Sequence, residues 1–169
     1  MNGNLIKKKE YSFSFDKNKC VACYACETAC KVHNGVEIGC SLRRVKTLWH
    51  GKYPEVSSVN LSISCMHCVD PECIKVCPEE AISKNSNGIV SVDQELCSGC
   101  RLCFNACPVN APQYGNDGKM QKCNFCTSRL VKDEVPICVD TCPGGAIEFK
   151  LVDRSEKIRF EKEMAEYLI

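Results

Sequence analysis

Two stretches of the chain alternate apolar and polar side chains. Tyr11-Ser12-Phe13-Ser14-Phe15 and Ile89-Val90-Ser91-Val92 each predict a short strand with one face on a core. From Arg154 to Leu168, the apolar residues Ile158, Phe160, Met164, Ala165 and Leu168 are interspersed with charge and predict a surface helix packed on its own neighbourhood. Residues 31–64 read as a long inserted loop whose Arg43, Arg44, Trp49 and Tyr53-Pro54 offer surface to a partner. The longest run free of charged residues, Leu102 to Asn116, is fifteen residues with two prolines. A bilayer needs roughly twenty mostly apolar residues, so no direct membrane span is expected.

Composition changes the picture. The chain has 169 residues, and 22 Lys and Arg against 21 Asp and Glu give a formal charge of +1. No basic field argues for nucleic acid. The apolar share of 44% includes 17 cysteines, and without them little remains for two packed cores. Something other than side chains should fill the interior. No apolar or twin-arginine segment follows Met1, where the sequence runs Asn2-Gly3-Asn4-Leu5-Ile6-Lys7-Lys8-Lys9. The expected location is the cytoplasm, with membrane association or export only through a partner.

Cysteine at this density means disulfides, zinc or iron–sulfur clusters, and spacing decides. The chain reads Cys20-x2-Cys23-x2-Cys26-x3-Cys30, then Cys65-x2-Cys68-x4-Cys73-x3-Cys77-Pro78. Next come Cys97-x2-Cys100-x2-Cys103-x3-Cys107-Pro108 and Cys123-x2-Cys126-x11-Cys138-x3-Cys142-Pro143, with Cys40 left over as a spare thiol. Cysteines three apart in one turn are poorly placed to bond each other. A structural zinc takes one or two Cys-x2-Cys pairs and often a histidine. Three close cysteines followed by Cys-Pro form the bacterial ferredoxin run, in which the fourth cysteine ligates the neighbouring cluster. Groups must then pair, and four groups predict four [4Fe–4S] clusters.

The repeats suggest how the chain is divided. Phe15-Asp16-x3-Cys20 and Val92-Asp93-x3-Cys97 share one offset, and Cys77, Cys107 and Cys142 are each followed by Pro-x2-Ala. Proline takes the chain out of a short helical turn, and the small alanine lets backbone approach a cluster. Cys30 departs from this pattern, since Lys31 follows it. The expected fold is α+β, with tandem bacterial two-[4Fe–4S] ferredoxin-like modules of short strands and helices. Residues 61–112 form a contiguous module, residues 1–60 plus 113–150 a discontinuous one, and residues 151–169 a C-terminal helix.

Taken in order, the four groups resemble the iron–sulfur electron-transfer subunit of molybdenum or tungsten bis-pterin oxidoreductases, the dimethyl sulfoxide reductase family. The resemblance covers residues 9–150. It also rests on Cys65-Met66-His67-Cys68-x2-Pro71-x-Cys73, Cys97-x-Gly99-Cys100-Arg101-x-Cys103, Lys122-Cys123-x-Phe125-Cys126 and Pro136-x-Cys138-Val139-x2-Cys142-Pro143-x-Gly145-Ala146. It implies a crossed ligand pattern. Cys20, Cys23 and Cys26 would share a cluster with Cys142, and Cys123, Cys126 and Cys138 one with Cys30. Cys65, Cys68 and Cys73 would join Cys107, while Cys97, Cys100 and Cys103 join Cys77. Some relatives replace one ligand in the third group and carry a three-iron cluster there; this chain keeps all four.

The resemblance implies a subunit of anaerobic respiration that passes single electrons between a molybdenum or tungsten pterin catalytic subunit and a membrane anchor or second electron-transfer protein. A cluster saturated by four thiolates has no open position, so no catalytic site is expected on this chain. The alternative is a polyferredoxin serving a hydrogenase or carbon monoxide dehydrogenase. Val21, Ile74, Val76, Leu102 and Val139 are expected to keep water from the clusters. His67 should face solvent or pack on a cluster rather than ligate, and His33 and His50 should be ordinary surface residues. Each oxidised cluster with four thiolates carries about −2, so the basic residues partly compensate buried negative charge.

Overall fold

The computed structural model describes residues 9–167. Residues 1–8, at the start of the 1–60 segment, and Leu168 and Ile169, at the end of the expected helix, lie outside the described residues. It is a small mixed α/β structure of short elements. The strands are β1 (Glu10–Phe15), β2 (Arg43–Lys52), β3 (Glu55–Ser64), β4 (Ile82–Lys84), β5 (Val90–Val92), β6 (Gln113–Tyr114), β7 (Met120–Gln121) and β8 (Ile147–Val152). The helices are α1 (Ala25–His33), α2 (Glu72–Lys75), α3 (Leu102–Asn105), α4 (Thr127–Leu130), α5 (Ile137–Asp140) and α6 (Arg154–Glu166).

Among the described residues the strands pair in antiparallel twos: β1 with β8, β2 with β3, β4 with β5, and β6 with β7. A two-stranded ribbon is marginal in water, so each must lean on something else. The main core holds Phe13, Leu61, Ile63, Phe125, Ile147 and Met164, but also Cys26, Cys65, Cys123 and Cys138. Thiols therefore occupy positions that aliphatic side chains fill in an ordinary domain.

Both predicted strands are present, as β1 and β5. The segment read as an insertion loop is instead ordered. Its first residues finish α1, and residues 43–64 form the hairpin β2–β3, in register from Arg43 opposite Ser64 to Lys52 opposite Glu55. Period-two alternation at Val59, Leu61 and Ile63 carried that signal. The hairpin's base is buried through Arg43, Val45, Leu61 and Ile63, while Trp49 and Tyr53 at its tip are exposed.

The last helix begins at Arg154, because Leu151 and Val152 still belong to β8 and Asp153 caps the helix by accepting from the Glu156 N–H at 3.0 Å. It packs on β1 and also reaches residues 69–70. Glu161 accepts from the Val69 N–H at 2.8 Å, and Arg154 pairs with Asp70 at 2.6 Å. A buried Lys157 reaches Glu10, which also holds Lys84, so the helix, β1 and β4 are joined by one carboxylate.

Candidate functional site

All 17 cysteines are free thiols. One cavity is lined by Cys20, Cys23, Cys26 and Cys142, with Phe15, Val45 and Ala146. Another is lined by Cys65, Cys68, Cys73 and Cys107, with Val90, Val109 and Lys122. A further cavity is lined by Cys77, Cys97, Cys100 and Cys103, with Ile82, Tyr114 and Met120. The remaining four, Cys30, Cys123, Cys126 and Cys138, are all buried. Helices α1 and α5 pack together and bring Cys30 within electrostatic reach of Cys138; Cys30 also interacts with Cys126, at the start of α4, and Cys123 with Cys138. Cys40 shares a small buried cluster with Cys30, Val36 and Leu42, its thiol donating to the Tyr114 carbonyl at 3.0 Å.

The turns that carry these thiols share one backbone device. In the first Cys-x2-Cys turn of each of the four groups, the residue before the second cysteine has a positive φ: Ala22 at 51°, His67 at 50°, Gly99 at 72° and Phe125 at 58°. For residues other than glycine this conformation costs about 1–2 kcal/mol. It turns the residue's own N–H onto the first cysteine. His67 donates to Cys65 Sγ and Phe125 to Cys123 Sγ, each at 3.4 Å, and Ala22 donates to Cys20. Gly99 is further constrained, since a Cβ there would lie 2.4 Å from the Gly118 carbonyl oxygen.

A second device follows each Cys-Pro. The chain leaves α2, α3 and α5 through Cys77-Pro78, Cys107-Pro108 and Cys142-Pro143, then passes through positive φ at Glu80, Asn110 and Gly145. In the second and third of these turns the next N–H points back at the sulfur: Ala111 to Cys107 Sγ and Ala146 to Cys142 Sγ, both at 3.3 Å. Ala81, Ala111 and Ala146 are buried, as close backbone approach requires. Cys30 lies inside α1 without a proline, and there the side chain of Asn34 donates to the sulfur at 3.6 Å.

Further donors complete the shells. Met120 N–H donates to Cys97 Sγ at 3.4 Å, the Tyr114 hydroxyl lies 3.1 Å from Cys103 Sγ, and Ser62 Oγ lies 3.3 Å from Cys26 Sγ. Donors aimed at sulfur stabilise thiolate, and so metal–sulfur centres. Burial acts the other way on the bare thiols. It pushes Cys30 up to about 12, against the nearby Arg43 charge, and Cys73 up to about 11. Cys68 and Cys123 are raised for the same reason. Such thiols ionise only when a metal supplies the countercharge. Among the described residues, no three His, Cys, Asp or Glu side chains converge closely enough to hold a single metal ion. Three of the four thiol sets line cavities.

Several residues behave differently from expectation. Val21 and Leu102 are 69% and 46% exposed rather than buried, and Val21 lines the cavity of Cys20, Cys23, Cys26 and Cys142. His67 does not face solvent. Its ring is fully buried and stacks on Phe125 with centroids 3.7 Å apart, and Nδ1 accepts from the Val90 N–H at 2.9 Å. Asn34, Ser62 and Tyr114 were not found from the sequence. For Asn34 a signal existed, since a cysteine without its proline needs another donor.

Comparison with known proteins agrees with this chemistry. Residues 56–152 match the family described as 4Fe-4S dicluster domain. The chain is 41% identical to the B subunit of anaerobic dimethyl sulfoxide reductase from Haemophilus influenzae, over 86% of this chain and 76% of the relative. It is 39% identical to the thiosulfate reductase electron transfer subunit PhsB of Salmonella typhi, over 87% and 79% of the two chains. Identity to the formate dehydrogenase iron-sulfur subunit of Wolinella succinogenes is 35%, over 80% and 78%. With four thiol-rich turns, sulfur-directed N–H groups and these relatives together, the chain belongs to the 4Fe-4S dicluster family and is a homologue of these reductase and dehydrogenase subunits.

Proposed function

We propose that this chain is the electron-transfer subunit of an oxidoreductase complex, with four [4Fe–4S] clusters between a molybdenum or tungsten pterin catalytic subunit and a second redox partner. The observation that carries the reading is the gathering of thiols from distant turns around separate cavities, each with N–H groups aimed at sulfur. Bound there, such clusters supply one-electron transfer at potentials set by hydrogen bonding, charge and exposure. The protein holds them, withholds water and fixes the local charge.

The three lined cavities support the crossed ligand sets: Cys20, Cys23, Cys26 with Cys142; Cys65, Cys68, Cys73 with Cys107; and Cys97, Cys100, Cys103 with Cys77. Burial of Cys30, Cys123, Cys126 and Cys138 supports the fourth. The pairing of β1 with β8 supports a discontinuous module made of residues 1–60 and 113–150 around a contiguous one at 61–112. Electrostatic proximity supports a linear order. Cys26 interacts with Cys138, Cys123 with Cys65, and Cys73 with Cys103. The two end sets expose a thiol each, Cys23 and Cys100. In this reading the discontinuous module faces the catalytic subunit, and the contiguous one faces a membrane anchor or other partner. Among the described residues no helix is long and apolar enough to cross a membrane.

Anaerobic purification with iron and sulfide analysis tests the reading. About 16 of each per chain is expected from four cubanes. A colourless, iron-free protein overturns it. Copurification with a pterin-containing large subunit is expected, whereas association with a hydrogenase or carbon monoxide dehydrogenase would place the wire in another complex.

A further inference from the structure

Several basic side chains of this molecule, the buried Lys157 among them, have carboxylates beside them. Arg129 pairs with Glu134 and Asp140, Arg154 with Asp70, and Lys84 and Lys157 with Glu10. Arg43 does not follow this pattern. It opens β2 and is only 3% exposed, yet among the described residues its partners are all neutral. Nη1 donates to the Ser62 carbonyl at 3.3 Å and to Ser62 Oγ at 3.0 Å, and Nη2 donates to Ser64 Oγ at 2.9 Å. The guanidinium carbon lies 4.5 Å from the centre of the Phe13 ring. A guanidinium keeps its proton, and burying it without an anion is unfavourable. The described chain provides no carboxylate to compensate it.

The groups around Arg43 that can become anions are thiols. Cys138, Cys123, Cys26 and Cys30 all act on it electrostatically. They belong to two of the proposed ligand sets, the one containing Cys142 and the one containing Cys30. Ser62 adds a directional link. Its hydroxyl oxygen accepts from Arg43 and also lies 3.3 Å from Cys26 Sγ. A thiolate can only accept, so with metal bound the Ser62 O–H must donate to Cys26. The chain of contacts runs guanidinium, hydroxyl, sulfur.

We propose that Arg43 is a positioning residue for electron transfer: a fixed positive charge shared by these two sites, coupled to Cys26 through Ser62, that raises the reduction potential of both. The inference rests on the iron–sulfur reading above. A cation beside a cluster favours the reduced, more negative form, and a hydrogen bond to a ligating sulfur acts in the same direction. Lys122 offers a parallel next along the wire. It is buried and lines the cavity of Cys65, Cys68, Cys73 and Cys107. Its ammonium donates to the carbonyls of Val90 and Cys123, and among the described residues it meets no carboxylate.

The test is potentiometric titration of the isolated holoprotein or complex, followed by electron paramagnetic resonance, in Arg43→Gln, Arg43→Lys and Ser62→Ala. Iron and sulfide content of the wild type are measured first, and iron-free wild type defeats the cluster reading before Arg43 is tested. With iron present, Arg43→Gln should lower the midpoint potentials of two clusters and leave the other two unmoved. Arg43→Lys should restore most of the shift, and Ser62→Ala should lower one potential only. Fully loaded Arg43→Gln with all midpoints unchanged overturns the proposal. If Arg43→Gln loses its iron, Arg43→Lys and Ser62→Ala decide. Wild-type midpoints in Ser62→Ala then overturn it, and a fall confined to one cluster there, with near-wild-type midpoints in Arg43→Lys, supports it.

Discussion

Ser14 stands directly opposite Glu148 in the β1–β8 ladder, and its hydroxyl donates to Glu148 Oε2 at 3.1 Å across 134 positions of sequence. The ladder ends at Phe15 opposite Ile147, and both line the cavity that holds Cys20 and Cys142. The two chain segments thus deliver three thiols from one end and a fourth from the other. Cys142→Ser should therefore impair the cluster held by Cys20, Cys23 and Cys26 and spare those within residues 61–112. Paramagnetic resonance of the reduced protein reads this directly. Loss confined to the 61–112 clusters would reject the crossed assignment.

Removing iron should unfold most of the chain. Among the described residues every sheet is two-stranded and the core is partly thiol, so metal-binding free energy is folding free energy. Chelation under anaerobic conditions, followed by circular dichroism and amide hydrogen exchange, should show loss of protection. Native-like protection in iron-free protein would contradict this.

Phe125 is fully buried between two cysteines, edge-on to Phe13 at 4.8 Å, tilted to Phe149 at 5.1 Å and stacked on His67. Phe125→Ala should cost about 3–5 kcal/mol, the range for a buried aromatic cut to a methyl. Phe125→Leu should cost less, because it refills much of the volume. Denaturation of loaded protein, followed by visible absorbance, measures both. A cost below about 1 kcal/mol for the alanine variant would mean that the site collapses around the gap.

Glu10 pairs with both Lys84 and the buried Lys157, each at 2.8 Å. Glu10→Gln should cost about 3–5 kcal/mol, as removing one partner of a buried pair does, and more than Lys84→Gln. Burial alone would raise the Glu10 pKa, but hydrogen bonds and charge from Lys157 and Lys84 outweigh it and leave it lowered. Its contribution is therefore complete above the ordinary carboxylate pKa and fades as pH falls through the lowered one. The stability gap between wild type and Glu10→Gln should narrow over that acid interval. A gap that widens on acidification would contradict the pairing.

Cysteine spacing alone determined the chemistry of this protein, because ligand turns are local: Cys-x2-Cys and Cys-Pro-x2-Ala fix sulfur and backbone donor within a few residues. Strand β1 was legible for the same reason, as was the helix from Arg154. The β2–β3 hairpin was legible in principle at Val59, Leu61 and Ile63, but its charged first residues masked the alternation. Only the tertiary structure decided which turns stand around which cavity, that Arg43 lies inside rather than on a partner-facing loop, and that Asn34 takes the place of a Cys-Pro turn at Cys30. Those facts depend on segments meeting across the chain, and a one-dimensional pattern carries no information about the space where they meet.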